Sequence, residues 1–359
     1  MVSTKLKNRL KTLLPLAVGL LAFLLYLYVF RVDIPTIIEK MQGIDLPIYS
    51  VAIVFVMFEM FFFALSWRSL LTFLSVKLSV VKSFLYVWYG VFMDIIIPAE
   101  SISGEITRVY LVTREQNGVS GKVVASLVMH RLIGMAVNIT SLLIGISILI
   151  IRGQFSGIVL NLSLFIAIVT AIVLALLTFL CVDESWTMKV IDTMIRFVEY
   201  ISRKRWKLAK IREDAVKVAK AFHSSMQEFR HAPKTILTSL SLSILSWIFS
   251  LGVAYLVFLS MRFPVHWSVI VVTGAIVAAV KAIPVGIPFE IGLPEITMTT
   301  LYTVLSPEMP LDIAATATIL TRILTVWLRF FGGFMVQQWL GIKGIKTPNI
   351  RSEINQLQK

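Results

Sequence analysis

The chain has 359 residues, 57% hydrophobic and 15% charged, with a mean hydropathy of +0.86. A soluble domain carries roughly 45–50% apolar and about 25% charged residues, so an ordinary water-soluble enzyme is excluded. The formal charge of +14 falls mostly between the apolar runs, where cytoplasmic loops collect Lys and Arg against anionic lipid headgroups; it points to a membrane surface and away from nucleic acid. A single cysteine, Cys181, and four scattered histidines give no disulfide framework and no metal-ligand spacing, so neither a metal nor a cofactor is expected.

The first predicted element is an apolar run over 13–30, preceded by Lys5, Lys7, Arg9 and Lys11. No small-residue cleavage site follows it, so it reads as a retained span and not a signal peptide. Further spans are predicted near 47–66, 123–151, 157–181, 234–261 and 311–341, each long enough at 1.5 Å per residue to cross about 30 Å of hydrocarbon. The fold class is therefore an all-α polytopic membrane protein with about six full crossings.

Two regions do not fit simple crossings. Residues 80–122 and 267–306 are apolar but interrupted by Pro, Gly and acidic residues around 98–108 and 284–295. Arg68, Lys77 and Lys82 precede the first break, and Arg108, Arg114 and Lys122 follow it, so both ends of that region look cytoplasmic. The second is flanked by 262–267 and by 306–312; the latter holds Glu308 and Asp312 and no Lys or Arg, so both of its ends look external. Each is predicted to be a re-entrant or broken helical hairpin, the two entering from opposite faces. Irregular backbone at membrane depth is tolerated only beside protein or a water-filled cavity, so both breaks are expected to line one.

Between the halves, 1–182 and 234–341, lies the basic interval 183–233. Leu208, Ile211, Ala215, Val218, Phe222, Met226 and Phe229 repeat at three and four, the pattern of an amphipathic helix, and Trp186, Val190, Met194 and Val198 make a second. This segment is expected to lie along the anionic inner leaflet. Residues 342–359 read as a cytoplasmic tail, which puts both termini in the cytoplasm of a cell-membrane protein.

The halves share spacings. Pro98 precedes Glu105 by seven positions and Pro288 precedes Glu295 by seven; Glu105 precedes Arg131 by 26 and Glu295 precedes Arg322 by 27. Trp67 and Trp247 sit on the spans leading to the breaks, at unequal distances of 31 and 41 from the prolines. With opposed charge flanks, this is the pattern of an inverted repeat, a design common in secondary transporters.

Glu105, Arg108, Arg131, Lys281, Glu290, Glu295 and Arg322 fall in or beside apolar segments, and Glu100 and Glu290 sit at the tips of the breaks. Each charge costs roughly 2.5–3.5 kcal/mol at the centre of a lipid-facing helix, about 20 kcal/mol for seven, so they must face one another, water or a ligand. A structural role is open: Glu105 and Glu295 suit the first turn of a half-helix, Ser101 or Ser103 can cap that turn, Pro294 fits there, and Arg131 and Arg322 can neutralise the glutamates. A functional role is open as well, since a planar guanidinium grips phosphate oxygens in a two-pronged contact. His130 reads as a helix histidine bonded to a carbonyl, and Glu59, Asp94 and Arg329 as isolated interfacial or packing residues.

At these residues the chain resembles a flippase-like membrane family that includes the transmembrane region of lysylphosphatidylglycerol synthases and related archaeal glycosylation proteins. The family pattern of a proline, Gly-Gly-Glu and an arginine three residues later is similar to PAESISGEITR over 98–108, followed by Arg131. The later Pro-Gly-Gly-x-Gly-x-x-Glu pattern resembles PFEIGLPE over 288–295, followed by Arg322. Ser103 replaces a glycine of the first motif, and Phe289 and Glu290 replace the glycine pair of the second. The resemblance implies translocation of a charged or glycosylated phospholipid or polyprenyl-phosphate lipid between leaflets. With no transferase domain after residue 341, lysyl transfer is not expected.

The expected function is therefore lipid translocation without catalytic residues. Arg108, Arg131 and Arg322 would attract the phosphate of a lipid headgroup in a midplane polar cavity, with Glu105, Glu295, Glu100, Glu290 and Lys281 lining it. The alternatives are an ion-coupled carrier of a soluble solute and a membrane-embedded transferase acting on lipid-linked substrates. No phosphate-binding Walker loop is present to couple ATP directly. The oligomeric state is left open.

Overall fold

The computed structural model describes residue 28 and residues 34–97, 102–153, 157–201, 209–281 and 292–341. All regular structure among them is helical. A short helix, α1 (Ile34–Gln42), leads to the 28-residue α2 (Leu46–Phe73). Asp45 starts α2, its carboxylate accepting the Ile48 N–H at 3.2 Å, and Pro47 follows where a missing N–H costs nothing.

The first half continues with α3 (Val80–Ile96), α4 (Ile102–Glu115), α5 (Ser120–Ile151) and α6 (Gly157–Val182). Two further helices follow, α7 (Glu184–Ile201) and α8 (Ala209–Arg230). The second half comprises α9 (Pro233–Ser260), α10 (Trp267–Lys281), α11 (Leu293–Leu305) and α12 (Leu311–Arg322). A five-residue π-helical segment, Ile323–Trp327, joins α12 to α13 (Leu328–Trp339). Five helices are long and apolar enough to cross a membrane: Leu46–Phe73, Ser120–Ile151, Leu160–Val182, Pro233–Ser260 and Leu311–Trp339. The sixth expected span, 13–30, and the tail 342–359 lie outside the described residues.

The most extensive helix contact joins α2 to α9. The two run antiparallel. The Asp45 N–H donates to the Ser260 carbonyl at 2.8 Å at one end, and Ser66 Oγ lies 2.8 Å from both Ser239 Oγ and Ser243 Oγ towards the other. Midway, Gly252 admits the Phe55 ring, whose atoms would lie 2.6 Å from an added Cβ. Small residues and hydroxyls suit such a contact, because within lipid helices associate through close packing and hydrogen bonds.

Each of these two helices leads into a broken pair, α3 with α4 and α10 with α11, whose members pack on each other. Their 17, 14, 15 and 13 residues reach about 26, 21, 22 and 20 Å at 1.5 Å per residue, each short of a full crossing. Since α2 and α9 are antiparallel and each pair starts a few residues beyond its long helix, the pairs enter the bundle from opposite ends. The break tips, 98–101 and 282–291, fall outside the described residues.

The amphipathic helix read from the sequence is present as α8, and the buried part of its apolar face packs on protein. Ala219, Met226 and Phe229 are buried, Phe229 stacks on Phe73 of α2 with ring centroids 5.4 Å apart, and α8 lies along the start of α5. Gly121 on α5 permits this approach, as a Cβ there would meet the Val218 carbonyl oxygen at 2.8 Å. A three-four stripe states that a face seeks apolar cover; it does not say whether lipid or protein supplies it. On α7, Trp186 is exposed, with its ring beside Phe179 and under the Lys189 ammonium at 5.2 Å.

Candidate functional site

In the first hairpin the charged groups are set by α4. Its opening turn is capped from α3: Asp94 Oδ1 accepts the Gly104 N–H at 2.6 Å and the Ser103 hydroxyl at 2.7 Å. The cap thus comes from across the break, where the sequence suggested Ser101 or Ser103; Ser101 is outside the described residues. Glu105 follows and pairs with Arg131 of α5, Nε to Oε1 at 3.0 Å, with side-chain exposures of 23% and 36%.

Arg108 lies one turn further along α4, towards the mouth of the hairpin, and is only 7% exposed. Its guanidinium carbon sits 5.2 Å from the Trp67 ring centroid and 5.9 Å from that of Phe63, a cation–π seat in a desolvated place. Nε reaches the Gly104 carbonyl at 3.4 Å, and among the described residues buried Nη1 has no hydrogen-bond partner. Gly90 makes room, because a Cβ there would come within 3.4 Å of Arg108 Cγ and 3.1 Å of the Gly104 carbonyl. His130 is buried edge-to-face against Phe63, centroids 4.5 Å apart.

In the second hairpin Gly292 takes φ +103°, a value L side chains rarely adopt, and opens α11. Glu295 then closes the turn on itself. Its Oε2 accepts the Gly292 N–H at 2.7 Å and its Oε1 meets Arg322 Nε at 2.5 Å, with exposures of 6% and 9%. Both glutamate–arginine pairs expected from the spacing therefore form, and Glu295 is at once a cap and a counter-ion.

A third ion pair was not legible as a pair. Glu59 of α2 and Arg329 of α13, read as isolated packing residues, join through Oε2 and Nη2, both side chains 14% exposed. Asp94 was likewise read as isolated and is the cap of α4. The signal for all three was an ionisable group inside an apolar run, which announces the need for a partner without naming it. Glu100 and Glu290 lie outside the described residues. Lys281 ends α10, half-buried; α10 runs antiparallel to α5, with Gly145 against Val271 and Val272 and Asn138 Nδ2 donating to the Ala275 carbonyl at 3.3 Å, so the α10 end that carries Lys281 lies nearer the Arg131 end of α5.

The sequence reading gathered these groups at one midplane site; the contacts along α2 spread them in depth. Tyr49 Oη donates to the Leu320 carbonyl at 3.0 Å, Glu59 meets Arg329, Phe63 meets His130, and the Trp67 indole donates to Ser126 Oγ at 3.1 Å. Glu295–Arg322 thus lies towards the start of α2 and Glu105–Arg131 towards its end, with Glu59–Arg329 between them at the fourteenth of 28 residues. The cause is the topology: hairpins entering from opposite ends place their first turns at different levels. Trp67 and Trp247, matched by position in the sequence, both bond serines of α5, Ser126 and Ser141.

Four carboxylates (Glu59, Asp94, Glu105, Glu295) and four guanidiniums (Arg108, Arg131, Arg322, Arg329) make this array formally neutral. Buried pairs add little net stability against apolar substitutes, so their number argues for a use beyond holding the fold. An array of opposed pairs with one buried guanidinium lacking a carboxylate hydrogen bond can receive an oxyanion. Among the described residues no group of acidic, His and Cys side chains could hold a metal ion.

The sequence matches the family described as the lysylphosphatidylglycerol synthase TM region over residues 13–333. It is also 23% identical to a UPF0104 membrane protein of Pyrococcus horikoshii over 304 residues, 83% of this chain and 89% of that protein. With its all-helical architecture and five membrane-crossing helices, the chain is a multi-pass membrane protein that belongs to the lysylphosphatidylglycerol synthase TM region family.

Proposed function

We propose that the protein is a lipid translocase of the cell membrane, with both termini cytoplasmic, that carries a phosphate-bearing headgroup between leaflets and does no bond chemistry. The observation that carries this reading is Arg108. A guanidinium nine-tenths buried, seated on Trp67 and Phe63, whose buried Nη1 meets no hydrogen-bond partner and which makes no carboxylate contact among the described residues, is poised for an oxyanion. Arg131 is the second ligand; it is the more exposed member of its pair and is released when Glu105 yields to the arriving phosphate. Arg322 plays the same part at the opposite end. Treating the halves as an inverted repeat, rocking of one against the other opens each hairpin site to its own leaflet in turn.

Reconstitution of the full chain into phosphatidylcholine vesicles with acyl-chain-labelled fluorescent phosphatidylglycerol tests this, scored by the fraction of label reached by an impermeant quencher. Protein-dependent exchange of label between leaflets, lost in Arg108→Ala, is expected. No exchange above protein-free vesicles, or full exchange in Arg108→Ala, overturns the proposal.

A further inference from the structure

Glu59 and Arg329 lie inside the apolar membrane-crossing stretches Leu46–Phe73 and Leu311–Trp339, and each would cost roughly 2.5–3.5 kcal/mol if it faced lipid. Their pairing crosses from the first half of the chain to the second. Arg329 also keeps one prong of its fork unused: Nη2 holds Glu59 while, among the described residues, buried Nε has no hydrogen-bond partner.

The helix that carries Arg329 has a built-in adjustment. Arg322 and Arg329 are seven residues apart, which on a regular α-helix leaves them within about 20° of one face. The π segment Ile323–Trp327 lies between them and breaks that register. Migration of such a bulge past a residue turns that residue, relative to the helix before it, by the angle of one residue, about 100°. A shift of the Ile323–Trp327 bulge C-terminally past Arg329 would draw Arg329 off Glu59 while Arg322 stays on Glu295. The first hairpin is coupled to the same helix, since Gly332 and Gly333 lie directly under Trp88 and Phe92 of α3, with the Trp88 carbonyl oxygen 3.1 Å from where a Gly333 Cβ would be.

We infer that Glu59–Arg329 is the gate between the two hairpin sites, and that Arg329 is a further phosphate ligand that takes the anion from Arg108 and Arg131 and passes it to Arg322. The inference rests on the translocation reading above for its choice of lipid as the source of the phosphate. Closed, Glu59 occupies the guanidinium and the two sites are separated by a neutral, desolvated pair. Open, the phosphate replaces Glu59 and engages both prongs.

The test compares wild type, Arg329→Lys and the exchange Glu59→Arg with Arg329→Glu, each as full chain in vesicles. Two fluxes are measured side by side: leaflet exchange of labelled phosphatidylglycerol and uptake of radiolabelled inorganic phosphate. Lysine keeps the charge and the pairing but not the planar fork, so Arg329→Lys is expected to slow lipid exchange at least about tenfold with little change in thermal midpoint. The exchange variant is expected to regain the thermal midpoint without the flux. Wild-type lipid exchange that Arg329→Lys leaves intact, or that the exchange variant restores, overturns the gate and spares the lipid reading. Phosphate uptake that depends on Arg329, without lipid exchange, supports the gate and overturns the lipid reading. Neither flux in wild type overturns both.

Discussion

The carboxylate of Asp94 accepts the amide of Gly104 at 2.6 Å across the break between α3 and α4, so one half of the hairpin caps the other. Gly104 is required there, because any Cβ would run into the Asp94 carboxylate and lie 2.5 Å from the Gly90 carbonyl oxygen. Gly104→Ala is expected to destabilise the detergent-purified chain by about 1–3 kcal/mol through overpacking, and Asp94→Ala by about 1 kcal/mol through the lost cap. Thermal unfolding checks both. Asp94→Asn, which keeps an acceptor, should fall between wild type and Asp94→Ala.

Glu295 and Arg322 form the most enclosed of the three ion pairs. Removing one member leaves the other charged and buried, so Glu295→Ala is expected to cost about 3–5 kcal/mol, and more than Glu105→Ala, whose partner Arg131 can turn to water. Parallel denaturation of the two variants decides the order. Equal losses would mean that the second pair is as well hydrated as the first.

At the mouth of the first hairpin Lys82 Nζ holds both oxygens of Glu115, at 3.0 and 2.9 Å, and the Tyr86 hydroxyl donates to one of them. Partial burial pushes the Glu115 carboxyl up, but the hydrogen bonds from Tyr86 and Lys82 and the lysine charge more than reverse this and leave it below the ordinary carboxylate value. A carboxyl depressed in the folded state stabilises the fold above its unfolded pKa of about 4.3 and loses that contribution as pH falls through the lower folded value. Amide exchange in α3 and α4 should therefore quicken below about pH 4 in wild type. Glu115→Gln should lack that acid-dependent component.

Phe229 is fully buried between α8 and the bundle, stacked on Phe73. Phe229→Ala is expected to cost about 3–5 kcal/mol of packing and to undock α8. Limited proteolysis should then cut within 183–233 at protease levels that leave the wild type whole. Gly121→Leu, which drives a side chain into Val218 and Ala221, should give the same pattern without touching the aromatic pair.

Much of the architecture was legible before any coordinates. Apolar runs of sufficient length mark crossings because transfer of side chains into hydrocarbon depends on composition alone, and five of the six expected spans are present while the first lies outside the described residues. Proline, glycine and acid clusters marked both breaks. The spacings of 26 and 27 found the pairs Glu105–Arg131 and Glu295–Arg322, because each pair joins a hairpin to the very next helix, where sequence distance still tracks spatial distance.

What the sequence by itself determined is a membrane-embedded chain with two broken regions and more buried charge than lipid can tolerate. Only the tertiary structure decided which charges meet. It joined Glu59 to Arg329 across 270 positions, turned Asp94 into the cap of a neighbouring helix, seated Arg108 on aromatic rings, and laid α8 on α5. The reason is geometric: periodicity fixes the face and height of a residue on its own helix, whereas the partner across an interface depends on how whole helices cross, which no local pattern encodes.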